Sequence, residues 1–165
     1  MKTAIFDLDG TIADTLFDLA DAVNYALEKF GYPVHPYESF NQFVGNGVQK
    51  LCYRALPDDK KDETDKLVEI FSEYYNEHFL DKTALYRGMS ETIHKLESSG
   101  IRLAVATNKP QDFARKIVAA LLPDVEFISV LGGCAERPKK PDAAIIREIL
   151  EQLPVEEEQV FMIGD

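Results

Sequence analysis

Two cysteines, Cys52 and Cys134, are all that 165 residues contain, and their spacing is not that of metal ligands. So few thiols exclude a disulfide scaffold and a cysteine-based metal cluster, and point to a reducing, cytoplasmic setting. Positive charge is also scarce. Lys and Arg number 18 against 29 Asp and Glu, a formal charge of −11, which argues against nucleic acid or an anionic membrane as a partner. Long apolar runs are missing as well. The first one breaks at Asp7, so there is no signal-peptide core, and no window approaches the length of a membrane span. A small anionic substrate remains compatible with the net charge, because a metal and a few local cations set the sign inside a cleft. With 45% hydrophobic and 28% charged residues, the chain has the composition of an ordinary soluble protein with one good core.

What is present begins at the N-terminus. The apolar run from Ala4 ends in Asp7-Leu8-Asp9-Gly10-Thr11. Two carboxylates at the C-terminal end of one strand repel each other unless a cation or a shared proton relieves them, and Gly10 permits a sharp departure of the backbone. Taken alone, the tetrapeptide is equally compatible with a solvated turn.

The rest of the chain divides by rhythm. Thr3 to Leu8 reads as a buried strand. Leu16, Leu19, Ala20, Val23, Leu27 and Phe30 form a helical stripe ended by Gly31, and Val48, Leu51, Cys52 and Leu56 form another. Leu67, Ile70, Phe71, Tyr74 and His78 make a third, so residues 14–82 are expected to be helical. After Gly88 strands and helices alternate: a helix over Ser90 to Leu96, a strand over Ile101 to Ala106, a helix over Phe113 to Leu122, a strand over Glu126 to Leu131, a helix over Ala143 to Leu153 and a strand from Val160 to Ile163. That alternation predicts an α/β fold, a doubly wound, Rossmann-like parallel sheet. Residues 1–13 and 83–165 form the core domain, and a helical cap domain, 14–82, is inserted in it.

In such a sheet ligands bind beyond the C-terminal ends of the strands. The first strand brings Asp7 and Asp9 there, the second Thr107, Asn108 and Lys109, the loop after the third Lys139, Lys140 and Pro141, and the fourth Gly164 and Asp165. Each cluster alone is compatible with a turn or a solvated surface. Four on one edge are not easily coincidence.

Asp7-Leu8-Asp9-Gly10-Thr11, Thr107-Asn108, Lys140-Pro141 and Gly164-Asp165 resemble, in order and context, the four motifs of the haloacid dehalogenase-like hydrolases. The resemblance covers the whole chain. Within that superfamily Phe43-Val44-Gly45-Asn46-Gly47, Arg54-Ala55-Leu56 and Tyr74 to His78 are most similar to phosphoglycolate phosphatases. The resemblance implies a phosphomonoester hydrolase acting on a small phosphate ester such as 2-phosphoglycolate. Asp7 is then the nucleophile that forms an aspartyl-phosphate, and Asp9 the acid and base. Thr107, Asn108, Gly10 and Lys140 hold phosphoryl oxygens, and Mg²⁺ is held by Asp7, the Asp9 carbonyl and Asp165. Gly45, Asn46 and Gly47 are candidates for binding a substrate carboxylate through backbone N–H groups, with a plain interhelical turn as the alternative. Lys50 reads as a surface lysine, and Phe71, Tyr74 and Phe79 as cap core.

Asp9 favours ester hydrolysis over halide displacement, which needs no proton on its leaving group. Pyrophosphate hydrolysis and phosphosugar transfer remain open on the same scaffold, as do two non-enzymatic readings, a phospho-accepting module and an inert fragment. The pattern departs from the family after Asp165, where relatives continue with Ser and a further Asp. The expectation is a core incomplete at its C-terminal end, with the outer edge of the last strand uncovered, in a monomer or homodimer.

Overall fold

The computed structural model describes residues 2–152 and 159–164. The chain separates into two compact units, one made of 1–14 and 84–165 and the other of 15–83.

The first unit is built on a parallel sheet of four strands, β1 (Thr3–Phe6), β4 (Arg102–Pro110), β5 (Phe127–Gly133) and β6 (Val160–Ile163), in the order β5-β4-β1-β6. Strand β1 lies in the middle and is buried over its whole length, as expected of an apolar strand covered on both faces. Its register pairs Phe6 with Val105 of β4 and with Ile163 of β6. Among the described residues the sheet is accompanied by α5 (Met89–Ser98), α6 (Gln111–Leu121) and α7 (Ala144–Glu151). Side chains alternate across each strand. Ile5, Ala104, Ala106 and Leu131 thus meet Ile145 and Ile149 of α7 in one buried cluster, and burying each large aliphatic side chain contributes roughly 1.5–3 kcal/mol. On β6, Phe161, Met162 and Ile163 are exposed.

Two short strands absent from the sequence reading, β2 (Ala13–Asp14) and β3 (Ala84–Leu85), pair antiparallel where the chain leaves and re-enters this unit. Two residues per strand are too few to leave a period in the sequence.

The expected ends of two sheet strands move outward. Strand β4 continues past Ala106 to Pro110, and β5 past Leu131 to Gly133, with Pro110 paired to Gly133 across a register shift. Glycine permits this close approach: a Cβ on Gly132 would lie 2.6 Å from the Lys109 carbonyl oxygen, and one on Gly133 would lie 2.9 Å from that of Asn108. Thr107 and Asn108 therefore belong to the strand rather than to a turn after it.

The second unit is helical, with α1 (Leu16–Lys29), α2 (Phe40–Phe43), α3 (Val48–Ala55), α4 (Thr64–His78) and short 3₁₀ turns at Tyr37–Ser39 and Asp58–Glu63. Helices α1 and α4 pack along each other. The buried row of α4 is Leu67, Phe71 and Tyr75, an i, i+4 ridge. Tyr74, expected in the core, sits one position off that ridge. Its ring stacks between Tyr25 at 4.3 Å and His78 at 4.2 Å on the flank of the unit. Asp18 is buried near the start of α1, and its carboxylate accepts from the N–H groups of Lys82 and Thr83 at 2.9 and 2.8 Å and from the Thr83 hydroxyl at 2.7 Å. One carboxylate thus ties the first helix of the unit to its last residues. Among the described residues no helix is long and apolar enough to cross a membrane.

Candidate active site

The C-terminal edge of the sheet brings together Asp7, Asp9, Lys109 and Lys140. Strand β1 stops at Phe6, and the Asp7 N–H still reaches the Ile163 carbonyl at 2.8 Å, so Asp7 is the first residue beyond the strand yet fixed by it. Leu8 is fully buried, and its carbonyl accepts from the N–H groups of Thr11, Ile12 and Ala13. That anchor turns the chain sharply. Gly10 takes φ +80°, a left-handed conformation that suits glycine, and its N–H is given to the Ala13 carbonyl at 3.0 Å.

The two carboxylates each meet a lysine. Lys140 Nζ lies 2.7 Å from Asp7 Oδ2, and Lys109 Nζ lies 3.0 Å from Asp9 Oδ1. Asp7 Oδ1 also accepts from the Leu8 N–H at 2.7 Å, which fixes the rotation of the carboxylate. Electrostatic relief expected of a cation is thus partly supplied by the protein itself.

Asn108 has a different role from a simple oxygen-binding amide. Its Oδ1 accepts from the Lys140 N–H at 2.8 Å, and its Nδ2 donates to the Lys140 carbonyl at 3.3 Å. The side chain therefore reads the backbone of Lys140 as a neighbouring strand would. The loop carrying Lys140 has a second anchor in Arg137. It donates to the Gly132 carbonyl and pairs with both carboxylate oxygens of Glu148 on α7, each at 2.7 Å. The Arg137 partner holds the Glu148 carboxyl below the usual carboxylate range. Thr107 is buried, and its Oγ1 accepts from the Lys109 N–H at 3.3 Å.

Asp7, Asp9, Thr107, Asn108 and Lys140 are brought to one edge, as is Gly164, where an added Cβ would approach Asp7 Cβ to 3.2 Å. Asp165, expected as a metal ligand, lies outside the described residues. Gly45, Asn46 and Gly47 belong to the helical unit. There Gly45 and Gly47 take φ +113° and +84°, and Asn46 Oδ1 accepts from Arg54 at 2.6 Å. Lys50 is exposed, with its ammonium 5.6 Å from the Tyr53 ring.

The sequence pattern assigns Lys109 no specific role. The signal was available in strand period: once β4 is carried to Pro110, Thr107 and Lys109 fall on the same face as Leu103 and Val105.

A hard divalent cation fits the oxygen donors at this edge. Asp7 would supply a carboxylate and Asp9 a backbone carbonyl, and no sulfur or imidazole stands among the site residues described, a donor chemistry suited to Mg²⁺ rather than to a softer metal. Among the described residues no group of three His, Cys, Asp or Glu side chains forms a cluster of its own. Any such ion would therefore share the site with the two lysines.

The parallel α/β sheet with its site beyond the strand ends is a fold shared by many activities, and sequence comparison gives the family. The family model described as haloacid dehalogenase-like hydrolase matches residues 4–165. The chain belongs to that family, and within it to the phosphatases. It is 36% identical over 169 residues to a phosphoglycolate phosphatase of Psychrobacter arcticus, covering 98% of this chain and 74% of that protein. It is 34% identical over 172 residues to one of Vibrio parahaemolyticus, covering 100% and 75%. Among solved structures, that of a predicted phosphoglycolate phosphatase from Haemophilus somnus superimposes with a TM-score of 0.89 at 30% identity, covering 100% of this chain and 77% of that one.

Proposed function

We propose that the chain hydrolyses a small phosphate monoester, with 2-phosphoglycolate as its substrate, by way of a phosphoryl group carried on Asp7. The observation that supports the chemistry is the contact of Asp7 with Lys140 at 2.7 Å. An ammonium beside the nucleophile offsets its charge, so an anionic phosphate meets a neutralised carboxylate.

Attack by Asp7 on phosphorus forms an aspartyl-phosphate and expels the alkoxide. Asp9 gives that alkoxide a proton, then takes one from the water that hydrolyses the acyl phosphate. The Thr107 hydroxyl and the Lys140 ammonium donate to the equatorial oxygens, where the charge of the transition state resides. Asn108 contributes by holding the backbone of Lys140. The Asp7 carboxylate, the Asp9 carbonyl and Asp165 would hold Mg²⁺, which would supply positive charge for the incoming phosphate.

The substrate assignment rests on the curated relatives, which carry the name phosphoglycolate phosphatase at 34–36% identity. We read residues 15–83 as a cap that excludes water and recognises the organic part of the ester, with the backbone of Gly45, Asn46 and Gly47 offered to its carboxylate. The acidic, cysteine-poor chain suits a cytoplasmic enzyme of small metabolites.

A panel of phosphate esters, pyrophosphate and phosphosugars assayed with Mg²⁺ tests this. A kcat/KM for 2-phosphoglycolate at least about tenfold above every other compound is expected, a margin of about 1.4 kcal/mol. Equal turnover across the panel would contradict the substrate, and a requirement for a bisphosphate activator would indicate a mutase.

A further inference from the structure

The geometry points to Lys109 as the positioning residue for Asp9, holding the carboxylate that protonates the leaving group. This rests on the proposed role of Asp9 as acid.

A lysine in this place is unusual for its burial. Its side chain is 2% exposed, against 19% for Lys140, and its Nζ reaches Asp9 Oδ1 at 3.0 Å across 100 residues of sequence. Lysine is almost never so buried unless paired. Its backbone is also constrained from two sides. Gly132 runs so close that a Cβ there would come within 2.6 Å of the Lys109 carbonyl oxygen, and the Lys109 N–H is held by Thr107 Oγ1 at 3.3 Å. Two residues on, the Gln111 amide grips β5 at both ends, donating to the Val130 carbonyl and accepting from the Gly132 N–H, each at 2.8 Å. The base of the lysine is thus locked to the sheet and its tip to the acid.

Asp9 stands past the end of β1 in the turn around Leu8, where its backbone bridges to Ala13. Proton transfer to the alkoxide requires a heavy-atom approach of about 2.6–3.2 Å, and a displacement on the order of 1 Å costs about 10²-fold. An ammonium gripping one oxygen restricts the carboxylate to a small part of its rotational range.

The test is leaving-group dependence. The value of kcat/KM reports steps up to departure of the leaving group, so it does not include the later work of Asp9 on water. An alkoxide needs a proton to leave; p-nitrophenolate does not. Lys109→Met is expected to lower kcat/KM for 2-phosphoglycolate by about 10- to 100-fold and that for p-nitrophenyl phosphate by less than about threefold, with partial recovery in Lys109→Arg. Each ratio is taken on a single preparation, so a fraction of misfolded enzyme cancels. Asp9→Asn, measured beside it, separates the two levels of the argument. If Asp9→Asn discriminates between the substrates and Lys109→Met lowers both equally, the positioning role is overturned. If Asp9→Asn itself shows no discrimination, the acid role of Asp9 fails and the inference fails with it.

Discussion

Asp18 in the helical unit and the pair Asp7 and Asp9 at the sheet edge are carboxylates of the same chemistry held in opposite ways. Asp18 is 2% exposed and faces backbone N–H groups and a hydroxyl that cannot move away from it. Asp7 and Asp9 keep side-chain exposures of 18% and 15%, and their partners are ammonium groups at the ends of lysine stems. Fixed neutral dipoles spend a charge on holding the chain together, since every lone pair they occupy is closed to a ligand. Paired lysines neutralise a charge while leaving it open to a substrate. A third kind of pair, Lys61 with Asp58 at 3.7 Å, is fully solvated on its acidic side and belongs to neither class.

Substitutions break this comparison in a definite order. Asp7→Asn is expected to lower turnover by about 10⁴-fold or more, as loss of a nucleophile does, while the urea midpoint changes little; a large loss of stability would place Asp7 with Asp18. Asp18→Asn is expected to do the reverse. It replaces a buried charged acceptor of several hydrogen bonds and should cost about 2–3 kcal/mol in urea unfolding, and a cost below about 0.5 kcal/mol would remove the structural role.

The helical unit also makes a pH prediction. Burial pushes the Cys52 thiol up to about 12, whereas in the unfolded chain it titrates near about 8.5. The unfolded state therefore loses this proton first. The stability involved is fully present below pH 8.5 and declines as pH rises towards 12. At pH 10 the decline should be about 2 kcal/mol, and it should be absent in Cys52→Ala; parallel curves for the two proteins would refute it. The smallest effect belongs to Asp58→Ala, expected within about 0.5 kcal/mol of the parent in the same urea titration.

The parts legible in the sequence were those written in local pattern. Apolar runs ending at Asp7, at Ala106 and at Ile163 gave the strands, and because parallel strands present their ends on one edge, they gave the edge too. What the sequence could not carry was partnership across long separations. Asn108 has the composition of a phosphate ligand, yet its amide lies on Lys140, a contact 32 residues away. Lys109 and Asp9 are 100 residues apart, and no periodicity records which carboxylate a lysine will reach. The extension of β4 was hidden for a related reason. Thr107-Asn108-Lys109 reads as a turn, and Gly132 and Gly133 in the neighbouring strand let it run on beside them. Helical spacing puts Tyr74 in the core because it tolerates either side of a ridge, and Tyr75 fills that place instead.

Everything proposed for the sheet edge depends on Asp7 carrying the phosphoryl group. Rapid acid quench during turnover of 2-phosphoglycolate with Mg²⁺, followed by peptide mass spectrometry, tests it most directly. A phosphoryl increment is expected on the peptide containing Asp7, absent from Asp7→Asn together with turnover. An Asp7→Asn enzyme that turns over undiminished, with no phosphoryl group on residue 7 of the parent, would contradict it.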